Sequence, residues 1–181
     1  MHRFDCSKHH ASIGSFTLRT LTAADWYAAL DRASGPAGSR PKDHEVRNEC
    51  LSDAIAEVDD QPVPRPFQGW RDWSARSYAL LAAGHGALNE LSRRDEIALG
   101  FLYGPTFPLE EFKLDVASVR MDELSTRREI EILSSAASRA GQQAAVLSAA
   151  ISEVNGIPRH PTPDEILGWS AKTVEAMRLI Y

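Results

Sequence analysis

The run Phe16-Thr17-Leu18-Arg19-Thr20-Leu21-Thr22, continuing into Ala23-Ala24-Asp25-Trp26-Tyr27-Ala28-Ala29-Leu30, constrains the fold more than any other stretch. Phe16 and Leu18 alternate with Thr17 and Arg19, the period-two pattern of a half-buried strand. Thr22 stands where an N-cap belongs, and Asp25 three residues on can cap in return. A strand running straight into a capped helix is a docking unit, and it carries no catalytic group.

Downstream, the pattern is helical. Val46, Cys50, Leu51, Ala54, Ile55 and Val58 share one face of an amphipathic helix that Asp59-Asp60-Gln61-Pro62 ends. The loop 34–41, rich in Gly, Pro and Ser, precedes it, and Pro62, Pro64 and Pro66 impose an extended connection after it. A helix is expected from Trp70 to about Ala83, loosened at Gly84-His85-Gly86. Ser92 with Asp95 opens a short one through Ile97, Leu99, Phe101 and Leu102. Beyond Gly104-Pro105 the reading is a helical arm. It comprises a helix over Leu109–Leu124, then a long helix capped by Thr126 with Glu129, stopped at Asn155-Gly156, and a last helix opened by Thr162-Pro163-Asp164-Glu165. No repeat of fixed period is visible. The expected fold is mostly α: a short N-terminal strand or hairpin packed on a helical bundle, followed by the arm. The expected organisation is a flexible leader over 1–12, a strand-plus-helices module over 13–104 and a helical arm over 105–181.

Composition excludes several function classes. The chain has 181 residues, 43% hydrophobic and 25% charged, with 20 basic against 25 acidic side chains and a net charge of −5. Those proportions are ordinary for a globular protein. Arg71, Arg76, Arg93 and Arg94 are dispersed among acids and aromatics, so no basic face for nucleic acid is expected. No apolar run reaches the roughly 18–20 residues of a membrane span. The polar stretch Met1–His10 has no signal-peptide core, and two cysteines, Cys6 and Cys50, fit free thiols in a reducing compartment.

Four constellations could carry chemistry. Cys6, His9 and His10 have metal-ligating side chains, with His2 or His44 as a fourth, but they lack the paired spacing of a zinc site. His85 between two glycines has no activated nucleophile beside it in sequence, and Cys50 falls on a helical face read as buried. His85 itself reads as a surface residue at a turn or helix break. Glu110-Glu111, Asp122-Glu123 and Glu129 with Glu131 diverge around helices rather than converge, so they read as solvated faces. No metal, cofactor or catalytic residue is expected. The aromatic middle is the remaining candidate: Trp26, Phe67, Trp70 and Trp73 are read as partner-binding anchors, because Phe67-Gln68-Gly69-Trp70 follows an extended Pro-rich segment.

The strand ending in Leu18-Arg19-Thr20-Leu21-Thr22 leads into an acidic, aromatic helix, and Leu88-Asn89-Glu90-Leu91-Ser92 forms an inter-helix corner. Together these resemble the start of small tail-assembly and baseplate proteins of tailed bacteriophages, the T4-type baseplate family and related tail assembly chaperones, over residues 13–104. The resemblance implies a non-enzymatic tail or baseplate component or assembly factor that contacts other tail or baseplate proteins. It implies residence in the virion tail or the host cytoplasm. The Ala- and Ser-rich 134–150 stretch fits packing within the chain, with self-association through the arm as the alternative. Two other readings are a small metal-dependent or Cys/His hydrolase and a cytoplasmic bacterial adaptor.

Overall fold

The computed structural model describes residues 1–9, 11–34, 41–136 and 138–181; most of the expected loop, Gly35 to Arg40, lies outside them. The contacts divide the chain into two units, Met1–Leu21 with Asp25–Glu90, and Thr22–Ala24 with Leu91–Tyr181. The first unit ends at Glu90 and not at 104.

In the first unit, β1 (His2–Asp5), β2 (Ser15–Leu18), β3 (Ile55–Val58) and β4 (Gln61–Pro62) form an antiparallel sheet in that order. The leader expected over 1–12 therefore supplies an edge strand, with Phe4 opposite Phe16. β2 is buried along its length, Ser15 and Thr17 included, because it lies inside the sheet rather than at a solvated face. The Thr17 hydroxyl is satisfied by Glu57 at 2.8 Å. Asp25 sits in α1 (Ala23–Ala33), where its carboxylate takes a bidentate pair from Arg19 at 2.6 and 3.0 Å.

The helical reading of Val46–Val58 holds only to Ala54, the end of α2 (Asp43–Ala54). Ile55 turns extended, with φ −72° and ψ 122°, and enters β3 opposite Leu18. Asp59 and Asp60, both at positive φ (49° and 62°), make the two-residue turn into β4. Such primed turns match the twist of paired strands. After β4 a 3-10 turn over Gly69–Asp72 leads to α3 (Ala75–Asn89), capped by the Ser74 hydroxyl. This helix runs through Gly84-His85-Gly86 without a break. Gly84 is needed there because a Cβ would meet the Phe4 ring at 3.1 Å, so the helix can approach the sheet closely.

The second unit begins with α4 (Arg93–Leu99), capped by Ser92 as expected. It is not a helical arm. Its strands β5 (Thr106–Pro108), β6 (Ser118–Met121), β7 (Ile151–Val154) and β8 (Ile157–Pro158) form a second antiparallel sheet in that order. The helix expected over Leu109–Leu124 is replaced by a 3-10 turn, Glu110–Phe112, and β6. The long helix expected from Thr126 to Val154 is α5 (Thr126–Ser135), capped by Ser125, then α6 (Arg139–Ala150) and β7. Asn155-Gly156 is a hairpin turn rather than a helix stop, again with both residues at positive φ. Then come α7 (Pro163–Gly168), opened by Thr162 and Pro163, and α8 (Ala171–Ile180), capped by Ser170. Two four-stranded antiparallel sheets with helices overturn the mostly-α expectation.

The second sheet is built like the first, strand for strand and bond for bond. Phe16, Thr17 and Leu18 face Val58, Glu57 and Ile55; Val119, Arg120 and Met121 face Val154, Glu153 and Ile151, with the same register shift before the last pair. Asp59 Oδ1 accepts from Gly14 and Ser15 N–H, and Asn155 Oδ1 accepts from Ala117 and Ser118 N–H. Ser12 receives the Ser74 N–H and donates its own N–H to Ser77; Asp115 does the same with Ser170 and Thr173. In sequence, Leu51-Ser52-Asp53-Ala54-Ile55-Ala56-Glu57-Val58 matches Leu147-Ser148-Ala149-Ala150-Ile151-Ser152-Glu153-Val154, and Trp73-Ser74-Ala75-Arg76-Ser77 matches Trp169-Ser170-Ala171-Lys172-Thr173. The chain is thus an internal duplication of one ββααββα unit, a repeat without a fixed period. Fixed-period inspection misses it because α1 and α2 are joined by a longer segment than α5 and α6, so the spacing between matched residues changes midway.

Candidate binding surface

The four expected anchors fall in the first unit, in different settings. Trp70 is core: it is 6% exposed, and its Nε1–H donates to Ser52 Oγ at 2.9 Å. Its ring stacks on Tyr78 with centroids 5.6 Å apart, and the Arg71 guanidinium lies 5.6 Å from the ring centre. Phe67 and Trp73 are half-buried neighbours, 6.2 Å apart, and Trp73 also approaches Phe16 at 6.3 Å. The Phe67 ring lies over Gly69, where a Cβ would sit 2.5 Å from it. Trp26, half-buried on α1, makes an edge-to-face contact with Tyr27 at 5.0 Å. Structure therefore brings Phe67 and Trp73 together, places Trp70 beneath the surface and leaves Trp26 out of that aromatic cluster.

The most exposed rings were not among the expected anchors. Phe101 is 69% exposed and Tyr103 83%, in the segment of the second unit between α4 and β5, and Ile97 on α4 is also exposed. The readable signal was punctuation: Gly100 and Gly104-Pro105 bracket these rings, and apolar residues between helix breakers have no regular face to bury.

The polar candidates are dispersed. Cys6 is buried while His9 is exposed, and His10 lies outside the described residues. Among the described residues no three His, Cys, Asp or Glu side chains converge as a metal site would need. Burial pushes the Cys6 thiol up, and it pushes Cys50 up to about 12, with the Asp53 carboxylate adding to the shift. A thiol held protonated in this way is a poor nucleophile.

His85 is not a surface residue at a helix break but 3% exposed inside α3. Its Nδ1 lies 3.3 Å from Glu90 Oε1 without hydrogen-bond alignment, and its Nε2 has no hydrogen-bond partner. The His85 ring, with further help from Arg47, holds the Glu90 carboxyl below its usual range against the opposing effect of burial. The expected carboxylate pairs Glu110-Glu111, Asp122-Glu123 and Glu129-Glu131 lie on the surface, with Arg128 on Glu131 at 3.3 Å and Arg120 on Asp122 at 3.9 Å. No helix among the described residues is long and apolar enough to cross a membrane.

The two rings left most open to solvent are therefore Phe101 and Tyr103, in the second unit. Compared with family models, with curated proteins and with solved structures, the chain matches none of them.

Proposed function

We propose that this protein works by protein–protein contact, as a tail or baseplate component or a tail assembly factor of a tailed bacteriophage. The phage context rests on the resemblance carried by Leu18–Thr22 and Leu88–Ser92. The contact mechanism rests on one observation: Phe101 and Tyr103 stand in solvent at 69% and 83% exposure on a segment bracketed by glycines. Large rings that a fold leaves outside are the side chains that anchor interfaces, because burying each against a partner removes much apolar surface from water. The half-buried pair Phe67 and Trp73 offers a second, smaller apolar surface on the first unit.

The test is co-expression of the full chain with the tail-tube and tape-measure proteins encoded beside it. Co-purification with one of them is expected, and it should be lost in a Phe101→Ser/Tyr103→Ser double variant whose circular dichroism is unchanged. Failure of the intact chain to retain any tail protein, or the absence of tail genes around its own, would overturn the reading.

A further inference from the structure

The duplication supplies an internal control for a cleft of about 460 Å³ in the first unit, lined by Lys8, His9, Arg76, Ala79 and Leu80. The cleft lies between the 3-10 turn Ser7–His9 and the start of α3. Its walls carry the cations Lys8 and Arg76 and the His9 imidazole, and its apolar surface comes from Ala79 and Leu80. Arg76 is fixed at one end, its Nη1–H donating to the His9 carbonyl at 3.2 Å. The nearby Asp5 carboxylate is engaged by the Ser7 N–H and hydroxyl at 2.9 and 2.6 Å.

The matched positions of the second unit show that the duplicated framework does not demand this arrangement. The His9 N–H bonds to the Cys6 carbonyl at 3.0 Å as the Phe112 N–H bonds to that of Leu109 at 3.1 Å, so His9 corresponds to Phe112. The Phe112 ring is buried, 4% exposed, where His9 is exposed. Glu111 stands for Lys8 and Glu175 for Ala79, while Lys172 keeps the cation of Arg76. One backbone thus presents a basic recess in the first unit and a buried ring beside acidic residues in the second.

We infer that the Lys8–His9–Arg76 cleft binds an acidic peptide segment of a protein partner, its carboxylates on Lys8 and Arg76 and an adjoining aliphatic side chain on Leu80. The recess is open to solvent, with Ala79 exposed and Leu80 half-buried beside the cations, a surface on which an extended peptide can lie without being enclosed. Guanidinium and ammonium groups favour carboxylates through charge-assisted hydrogen bonds. The Leu80 floor favours a peptide over a bare anion. This inference rests on the protein-contact reading above and names the chemistry of one contact.

The experiment titrates the full chain with a dansyl-labelled Glu-Leu-Glu-Glu-Leu-Glu peptide at low salt, with inorganic phosphate as competitor. Saturable binding is expected, weakened at least tenfold in Lys8→Glu and in His9→Phe, the latter installing the ring of the second unit. Both changes lie at exposed positions, so thermal unfolding should stay close to that of the parent. Equal binding by the parent and both variants, or no binding by the parent, would overturn the inference; phosphate displacing the peptide at equal concentration would reduce the cleft to a small-anion site and overturn it too. The same variants carried through co-purification with the tail proteins separate the two readings. Co-purification that persists without peptide binding removes only the cleft. Peptide binding without co-purification removes only the phage assignment.

Discussion

The two units share a backbone and differ in what holds their helix pairs. In the first, Arg32 on α1 reaches Glu49 at 3.0 Å and also Asp53, both on α2, while Arg71 lies 3.8 Å from Glu49. In the second, the matched positions are Ser135, Ala145, Ala149 and Leu167, so that charged network is absent, and the Gln142 amide of α6 instead donates to the Leu133 carbonyl of α5 at 2.9 Å. Nor is the Arg19–Asp25 pair kept: the matched residues are Asp122 and Arg128, which lie against Arg120 and Glu131 respectively. What both units keep is narrower: the Leu-Ser-x-Ala-Ile-x-Glu-Val run, the Trp-Ser helix start and the acceptor at the hairpin turn. Those residues close the sheet and dock the last helix. Ion pairs between half-exposed helices are replaceable because their net contribution is small, whereas at each hairpin turn one side-chain acceptor serves two backbone N–H groups from a residue at positive φ.

That contrast makes predictions of decreasing size. Asp59→Ala and Asn155→Ala should be the most damaging and nearly equal. Each leaves two backbone N–H groups to water and puts alanine at positive φ (49° and 54°), costing about 1–3 kcal/mol in urea unfolding. A loss under about 1 kcal/mol in only one of them would show that the turn is not the shared closure.

The helix-pair network should matter less. Asp53→Ala, which installs the residue of the second unit, should cost about 1–2 kcal/mol by leaving Arg32 with Glu49 alone. Adding Arg32→Ser should cost less than the sum of the two single changes, because the charges act as one group. Strict additivity by denaturant unfolding would break the claim that the network is a unit.

The smallest expected effect is the part of the acid dependence that Glu90 carries in the first unit. Glu90 has a carboxyl pKa lowered chiefly by the His85 ring, so its contribution is present above the unfolded carboxylate pKa and fades as pH falls through the lower folded value. Glu90→Gln should therefore flatten the acid limb of the first unit's stability, read by hydrogen exchange at amides of α3. The residue matched to His85 is Tyr181, so amides of α8 should not respond. An unchanged acid limb in the variant would dismiss the His85–Glu90 contact as a stabilising one.

How much was legible follows from which signals are local. The caps at Ser92 and Thr162-Pro163 were readable because a cap is decided within one helical turn. The strands Ile55–Val58 and Ile151–Val154 were not. Leu51, Ala54, Ile55 and Val58 follow helical spacing across the point where the chain turns extended, and four residues are too few for alternation to compete. Asp59-Asp60 and Asn155-Gly156 carry the signal of helix stops, since positive-φ residues end helices and make hairpins alike; only the strand on the other side distinguishes them. The site divides in the same way. Aromatic anchors were sought where proline made the chain extended, yet Trp70 went to Ser52 and the core, and the freely exposed rings were Phe101 and Tyr103.

Sequence by itself determined that this is a chain rich in capped helices, with its basic side chains interspersed among acids and no apolar run as long as a membrane-spanning helix needs. Those properties depend on composition and on contacts within a few residues. The duplication is also written in the matched runs Leu51–Val58 and Leu147–Val154, but tertiary structure decided that each copy builds a sheet and which aromatic rings remain outside. Each of these depends on pairing between residues far apart in the chain: Leu18 with Ile55, Met121 with Ile151, and Trp70 with Ser52. Strand pairing gains its hydrogen bonds only once a distant segment arrives, so no short window contains it.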